Sequence, residues 1–217
     1  MVSSTMERIQ NIEYIIMASC FFSAFIFTWI IKKVAIKKAI MDIPNERSSH
    51  TIPTPRGGGL AIAITWFAVL IALFLLNKIE DTLFWALMSG FLLVIVGIID
   101  DVKSISPKFR LIVQALSASV ALYFLNGFQY FDIGFLVIDA KIILTILAFF
   151  GILWFINLFN FLDGIDGYIS TEAIFICIAA YLLTRNVVLL FLSTSILGFL
   201  IWNWQKAKIF MGDVGST

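Results

Sequence analysis

Apolar residues in this chain come in long blocks separated by short polar connections. Blocks close to the roughly 20 residues that a bilayer core demands of a helix fall at 13–31, 60–77, 83–99, 109–126, 141–160, 171–184 and 187–203. They predict an all-α, polytopic transmembrane helical bundle of about seven spans, with residues 1–217 forming a single membrane domain. The sixth block is short, and only Arg185 and Asn186 divide it from the seventh. The first lies near the N-terminus but is too long for a signal-peptide core and has no small-residue cleavage site before its basic flank, so an uncleaved anchor is expected.

Composition points the same way. Hydrophobic residues make up 61% of the chain and charged residues 13%, about half the charged share of a soluble domain. The mean hydropathy is +1.01. Cys20 and Cys177 both sit inside apolar blocks, which excludes a disulfide framework. The net charge of +1 says little about partners, and no nucleic acid is expected. The placement of charge says more. Of 15 Lys and Arg residues, only Arg8, Lys78, Lys141 and Arg185 fall on one side of the alternating topology. The basic side is cytoplasmic by the positive-inside rule, which puts the N-terminus outside.

The remaining polar residues gather on that basic side. In D-I-P-N-E-R-S-S-H-T-I-P-T-P-R-G-G-G, residues 42–59, prolines forbid a continuous helix. The glycines, Gly58 among them, let backbone N–H groups approach an anion at the start of a span. Arg47 and Arg56 add guanidinium charge suited to phosphate; the plainer reading is a basic connection resting on lipid head groups. His50, the one histidine, is expected to be a hydrogen-bonded loop residue.

Asp100 and Asp101 end the third block, where apolar surroundings and the helix macrodipole both disfavour carboxylates. A bound cation would compensate, and so would a salt-bridge cluster with Lys103, Lys108 and Arg110. Asn157, Asn160, Asp163 and Asp166 recur every three residues. Their all-oxygen donors suit Mg²⁺ or Mn²⁺ rather than zinc, against the alternative of an interhelical hydrogen-bonding seam. Asp213, in M-G-D-V-G-S-T, is placed to reach a metal held by Asn160. Acidic and basic groups at one membrane face call for an anionic, metal-bound substrate, and phosphoryl transfer fits that demand. The membrane setting makes one substrate a lipid.

Taken in this order, the motifs resemble those of the polyprenyl-phosphate N-acetylhexosamine-1-phosphate transferases of glycosyltransferase family 4. The resemblance runs from residue 42 to the last residue. It implies transfer of a sugar-1-phosphate from UDP-N-acetylhexosamine to undecaprenyl phosphate with release of UMP, using Mg²⁺ or in its place Mn²⁺. It also implies a bacterial inner-membrane location with the active face cytoplasmic. The P-T-P-R-G-G-G form is similar to the branch that starts O-antigen-like surface polysaccharides.

Carried over by motif, Asp213 resembles the principal Mg²⁺ ligand and Asn160 the second protein contact. Asp100 and Asp101 match the catalytic aspartate pair, one of which deprotonates or orients the lipid phosphate. Asp163 and Asp166 match positions near the uridine diphosphate, and Lys108 and Arg110 the basic residues that hold the phosphates; Arg56 and Gly58, from the proline–glycine segment, complete the expected substrate-binding set. A phosphate monoester with a second pKa of about 6 is already largely dianionic at neutral pH, so Asp100 need only position the attack. Family members run well beyond the position of Thr217 and carry a histidine-bearing cytoplasmic loop. The chain is therefore expected to be the N-terminal portion of a larger transferase fold, and a homodimer is compatible with the resemblance. Two rival readings are a membrane carrier with an acidic path and an inactive fragment of such a transferase. Carrier sites favour broken helices near the bilayer midplane, whereas the carboxylates here gather at one face.

Overall fold

The computed structural model describes residues 2–44 and 50–217. Every apolar block is helical. The chain runs α1 (Val2–Lys37), β1 (Met41–Asp42), β2 (Thr54–Pro55), α2 (Gly59–Leu75), α3 (Asp81–Met88), α4 (Phe91–Val102), α5 (Pro107–Phe124), β3 (Phe131–Asp132), β4 (Val137–Ile138), α6 (Lys141–Leu162), α7 (Tyr168–Thr184), α8 (Val188–Asn203) and α9 (Asp213–Ser216). Among the described residues, the expectation of an all-α chain is corrected only by two antiparallel ladders of two residues per strand. Met41 pairs with Pro55 and Asp42 with Thr54; Phe131 pairs with Ile138 and Asp132 with Val137.

Local chemistry sets the element ends. The third block is kinked into α3 and α4 at Ser89–Gly90, where the Ser89 hydroxyl donates to the Ala86 carbonyl at 2.7 Å and competes with the helical ladder. Ser106 caps α5 by accepting from the Phe109 N–H, with Pro107 at the first helical position. Gly167, at φ +70°, turns the chain between α6 and α7. By length and composition, Asn11–Lys37, Asp81–Val102 and Lys141–Leu162 are able to cross a bilayer, while α2, α7 and α8 are shorter apolar helices.

Two apolar cores hold the bundle. Cys20, Phe67, Leu70, Phe84 and Phe191 join α1, α2, α3 and α8. Ile62, Ile169, Ile196, Phe199, Ile209 and Met211 join α2, α7, α8 and the segment leading to α9. Helices α1 and α8 approach closely because small residues face each other: Ala24 and Ser195 are fully buried, and a Cβ on Gly198 would stand 2.3 Å from the Phe21 carbonyl oxygen. Such small-residue seams replace the hydrophobic effect as the source of helix association in lipid. Trp202 adds an indole N–H bond to the Phe25 carbonyl at 3.2 Å. By contrast α6 has no buried residue.

This packing yields a stability test. Gly198→Val forces methyl groups into the α1 backbone and is expected to cost about 1–3 kcal/mol, as overpacking does. Gly151→Ala, on α6 with nothing within 4 Å of its new methyl, is expected to leave stability unchanged or slightly raised. Thermal unfolding of both variants in detergent measures the difference; equal melting temperatures would show that the seam is not close-packed.

Candidate active site

The short helix α9 is the hub of the site, and backbone contacts position it. A Cβ on Gly59 would lie 2.4 Å from the Gly215 Cα, and one on Gly97 would lie 2.4 Å from the Val214 Cα. Glycine is therefore required on α2, on α4 and on α9 for the three to meet. The Asp101 carboxylate accepts from the Asp213 N–H at 3.0 Å and the Val214 N–H at 3.3 Å, capping the first turn of α9. The preceding strand-like segment is also held: Phe210 N–H donates to Pro55, Gly58 N–H to Phe210 at 2.9 Å and Gly59 N–H to Met211 at 2.8 Å. This corrects the expectation that Gly58 offers its N–H to an anion. The group is committed to the chain itself, and a Cβ there would stand 2.5 Å from the Phe199 ring.

The adjacent aspartates separate in their partners. Both are buried, at 6% and 5% exposure. Asp100 accepts from the Ile105 N–H and, at 2.8 Å, from the Arg110 guanidinium, while Asp101 turns to α9. The Arg110 group also reaches the Asp213 carboxylate at 3.3 Å. Asp213 accepts from the Asn160 amide at 2.6 Å, and the same amide contacts the Ser216 hydroxyl at 3.0 Å. Asp100, Arg110, Asp213, Asn160 and Ser216 thus form one continuous polar chain from α4 through α5 and α9 to α6. The Arg56 guanidinium donates to the Asp101 carbonyl at 2.9 Å and ties the proline–glycine segment to the same place.

Asp163 and Asp166, three residues apart, have different tasks. Burial, then the neighbouring charges of Asp213 and Asp101, push the Asp163 carboxyl up to about 8 despite opposing hydrogen bonds from Ser216 and the Gly212 backbone. Asp166 accepts from the Ala207 N–H at 3.0 Å and anchors the turn after α8. Asn203, which the motif reading passed over, accepts from the Gly167 N–H and donates to the Ile209 carbonyl. It joins the turn after α6 to the segment that carries Asp213. Lys108 is exposed on the first turn of α5 and stands apart from this network. Arg47 lies outside the described residues.

Two connected clefts open at this centre. One, of about 320 Å³, is lined by Arg56, Asp101, Asn160, Asp163 and Asp213 among others. The other, of about 790 Å³, shares His50, Asp166 and Phe210 with it and adds Trp204, Lys206 and Lys208. His50 packs edge-on against Phe210 at 4.8 Å. Its Nε2 is buried without a hydrogen-bond partner, 4.0 Å from the Asp42 carboxylate.

The donor set fits a hard divalent cation shared with a phosphate, not a closed protein cage. No group of three His, Cys, Asp or Glu able to hold a metal occurs among the described residues. Mg²⁺ needs only one or two protein carboxylates and fills its shell with water and phosphate oxygens. Asp213 supplies such a carboxylate, and turning over the Asn160 amide would set its oxygen alongside. Arg110 provides the positive charge that Asp213 faces in this arrangement.

The raised Asp163 value sets a pH dependence. With folded value about 8 against an ordinary 3.8, the fold disfavours the ionised form. In chelator, stability should be greatest at acid pH, fall as pH rises from about 4 through 8, and level off above that. Asp163→Asn reduces this decline and should melt higher than the parent chain at pH 9. Melting curves in detergent with a chelator between pH 5 and 9 measure it; a parallel decline in the variant would assign the pH dependence elsewhere.

Residues 83–217 match the family described as glycosyl transferase family 4. Among similar proteins, a probable undecaprenyl-phosphate N-acetylglucosaminyl 1-phosphate transferase of Bacillus subtilis is 33% identical over 200 residues, covering 88% of this chain and 55% of that protein. An undecaprenyl-phosphate alpha-N-acetylglucosaminyl 1-phosphate transferase of Thermotoga maritima is 31% identical, covering 89% and 58%. A phospho-N-acetylmuramoyl-pentapeptide-transferase of Streptococcus pneumoniae is 32% identical, covering 81% and 58%. The chain spans little more than half the length of these relatives. With more than half of its own residues matched, the chain belongs to glycosyl transferase family 4.

Proposed function

We propose that this chain carries the phosphoryl-transfer centre of a polyprenyl-phosphate N-acetylhexosamine-1-phosphate transferase. In the reaction, an oxygen of the lipid phosphate attacks the β-phosphorus of UDP-N-acetylhexosamine. The bond between that phosphorus and the bridging oxygen breaks, and UMP leaves. The observation that carries this reading is the polar chain through Asp100, Arg110, Asp213 and Asn160, which unites residues from four separate elements. A Mg²⁺ ion bound at Asp213 and Asn160 would neutralise charge on the diphosphate. Arg110 is placed to hold a phosphate oxygen near Asp213, and Asp100 to fix the direction of the Arg110 guanidinium. Asp101 acts through α9, as the cap that orients Asp213. The larger cleft, with Trp204, Lys206 and Lys208, has room for the nucleoside.

The topology that serves this reaction has seven crossings, an outside N-terminus and the centre on the cytoplasmic face of a bacterial inner membrane. The meeting of the α2 and α5 starts with the α4 and α6 ends supports strict up-and-down alternation. The Lys and Arg distribution supports the cytoplasmic side. An O-antigen-like pathway is supported only by the proline–arginine–glycine motif. A carrier has less support, since the acidic groups lie at helix ends rather than in mid-span.

The test is UMP release from UDP-N-acetylglucosamine in membranes of cells expressing the protein. Asp213→Asn and Asp100→Asn should each lower the rate at least about 100-fold, the scale on which removal of an electrostatic contact to the reacting group acts. A chelator should abolish release and added Mg²⁺ restore it. Normal turnover in Asp213→Asn would remove the proposal.

A further inference from the structure

At the ends of α5 and α6 remote from the acidic centre lies a further cavity, a groove of about 580 Å³. Its walls are Leu122 from the last turns of α5 and Ile142, Ile146, Phe149 and Phe150 from the first turns of α6; Asn126 and Lys141 stand at its mouth. The mouth is preformed. Thr145 Oγ1 accepts the Phe128 N–H at 3.0 Å and donates to the Lys141 carbonyl at 2.7 Å. Gly127, at φ +70°, sits so close that a Cβ would be 2.5 Å from that oxygen.

Three observations specify the occupant. First, Lys141 carries the one formal charge on the groove wall. Its ammonium has the neutral Asn126 side-chain oxygen at 3.0 Å, and no carboxylate pairs with it among the described residues. Second, the β3–β4 hairpin beside the mouth exposes Tyr130, Phe131 and Phe135, the aromatic dress of a membrane–water interface. Third, the wall from Lys141 to Phe150 descends about 14 Å along α6, close to half the thickness of a hydrocarbon core. Cation at the head-group level and apolar walls down one leaflet are the complement of a glycerophospholipid with net negative charge.

We propose that this groove is a binding site for an anionic glycerophospholipid of the leaflet opposite the acidic centre. The acyl chain lies between α5 and α6, and the head-group phosphate sits against Lys141. The inference rests on the transmembrane reading of α5 and α6 but uses no residue of the transfer centre. Loss of lipid binding and loss of UMP release are therefore separate outcomes.

Native mass spectrometry of the 217-residue chain in detergent tests it, with phosphatidylglycerol and phosphatidylcholine titrated in parallel. One phosphatidylglycerol should be retained with about fivefold preference over phosphatidylcholine, the factor one cation contributes at a membrane surface. Lys141→Gln should equalise the two lipids, and Ile146→Trp, which fills the groove, should lower retention of both. Lys78→Gln, an exposed cation on another turn of the same side, should leave the preference intact. A preference that survives Lys141→Gln, or that Lys78→Gln removes equally, overturns the proposal. Should Ile146→Trp fail to fold, the two lysine variants decide alone.

Discussion

Two carboxylates at the end of an apolar helix must find partners or lose their charge, and the way Asp100 and Asp101 do so organises the rest of the site. Asp101 spends both oxygens on the first N–H groups of α9. Asp100 turns to α5, where Arg110 and the Ile105 N–H receive it. The pair is thus a branch point: one neighbour builds the support under Asp213, and the other builds the charge beside it. A hydrogen bond to an ionised group is stronger than a neutral one, so the same contacts that make burial tolerable also fix the position of Asp213.

Glycine makes this arrangement sterically open. Gly58, Gly59, Gly97 and Gly215 lie where helices or strands touch backbone to backbone, with no space for even one methyl group. The conformational freedom of Gly212, at φ +75° beside the Asp101 carboxylate, lets the chain turn into α9. A glycine run that reads as a phosphate cradle is here a docking surface for the segment that leads into α9. The guanidinium groups that meet these aspartates are those of Arg56, on the Asp101 carbonyl, and Arg110, on the Asp100 and Asp213 carboxylates.

The two ends of the bundle divide the chemistry. Charge gathers where α2 and α5 begin and α4 and α6 end. The opposite end carries aromatic side chains and the groove beneath Lys141. Helix α6 connects them with no buried residue along its length, so lipid or further protein can lie against most of it.

The chain alone determined the helical class, the place of the long helices and the identity of the chemistry-bearing motifs, but not the full length of α1, the break between α3 and α4 or the short α9. Long apolar blocks leave the backbone no hydrogen-bond partners in lipid except its own, and that constraint is local. Asp100, Asp213 and Asn160 were legible because ionised or amide groups beside such blocks are costly without a task. Only the tertiary structure decided which of these groups meet. Asp101 caps α9, Gly58 packs against the segment that leads to α9, Asp166 anchors the turn after α8 and Lys108 stays exposed, while Asn203, Ser216 and the His50–Phe210 pair join the same cluster. Asn203 had left one trace, an amide set between two tryptophans at the end of an apolar block. Spacing along one helix shows which residues share a face, but a contact such as Asp101 to Asp213 spans 112 positions. It exists because buried backbone N–H groups and buried carboxylates have no water to turn to and must find each other.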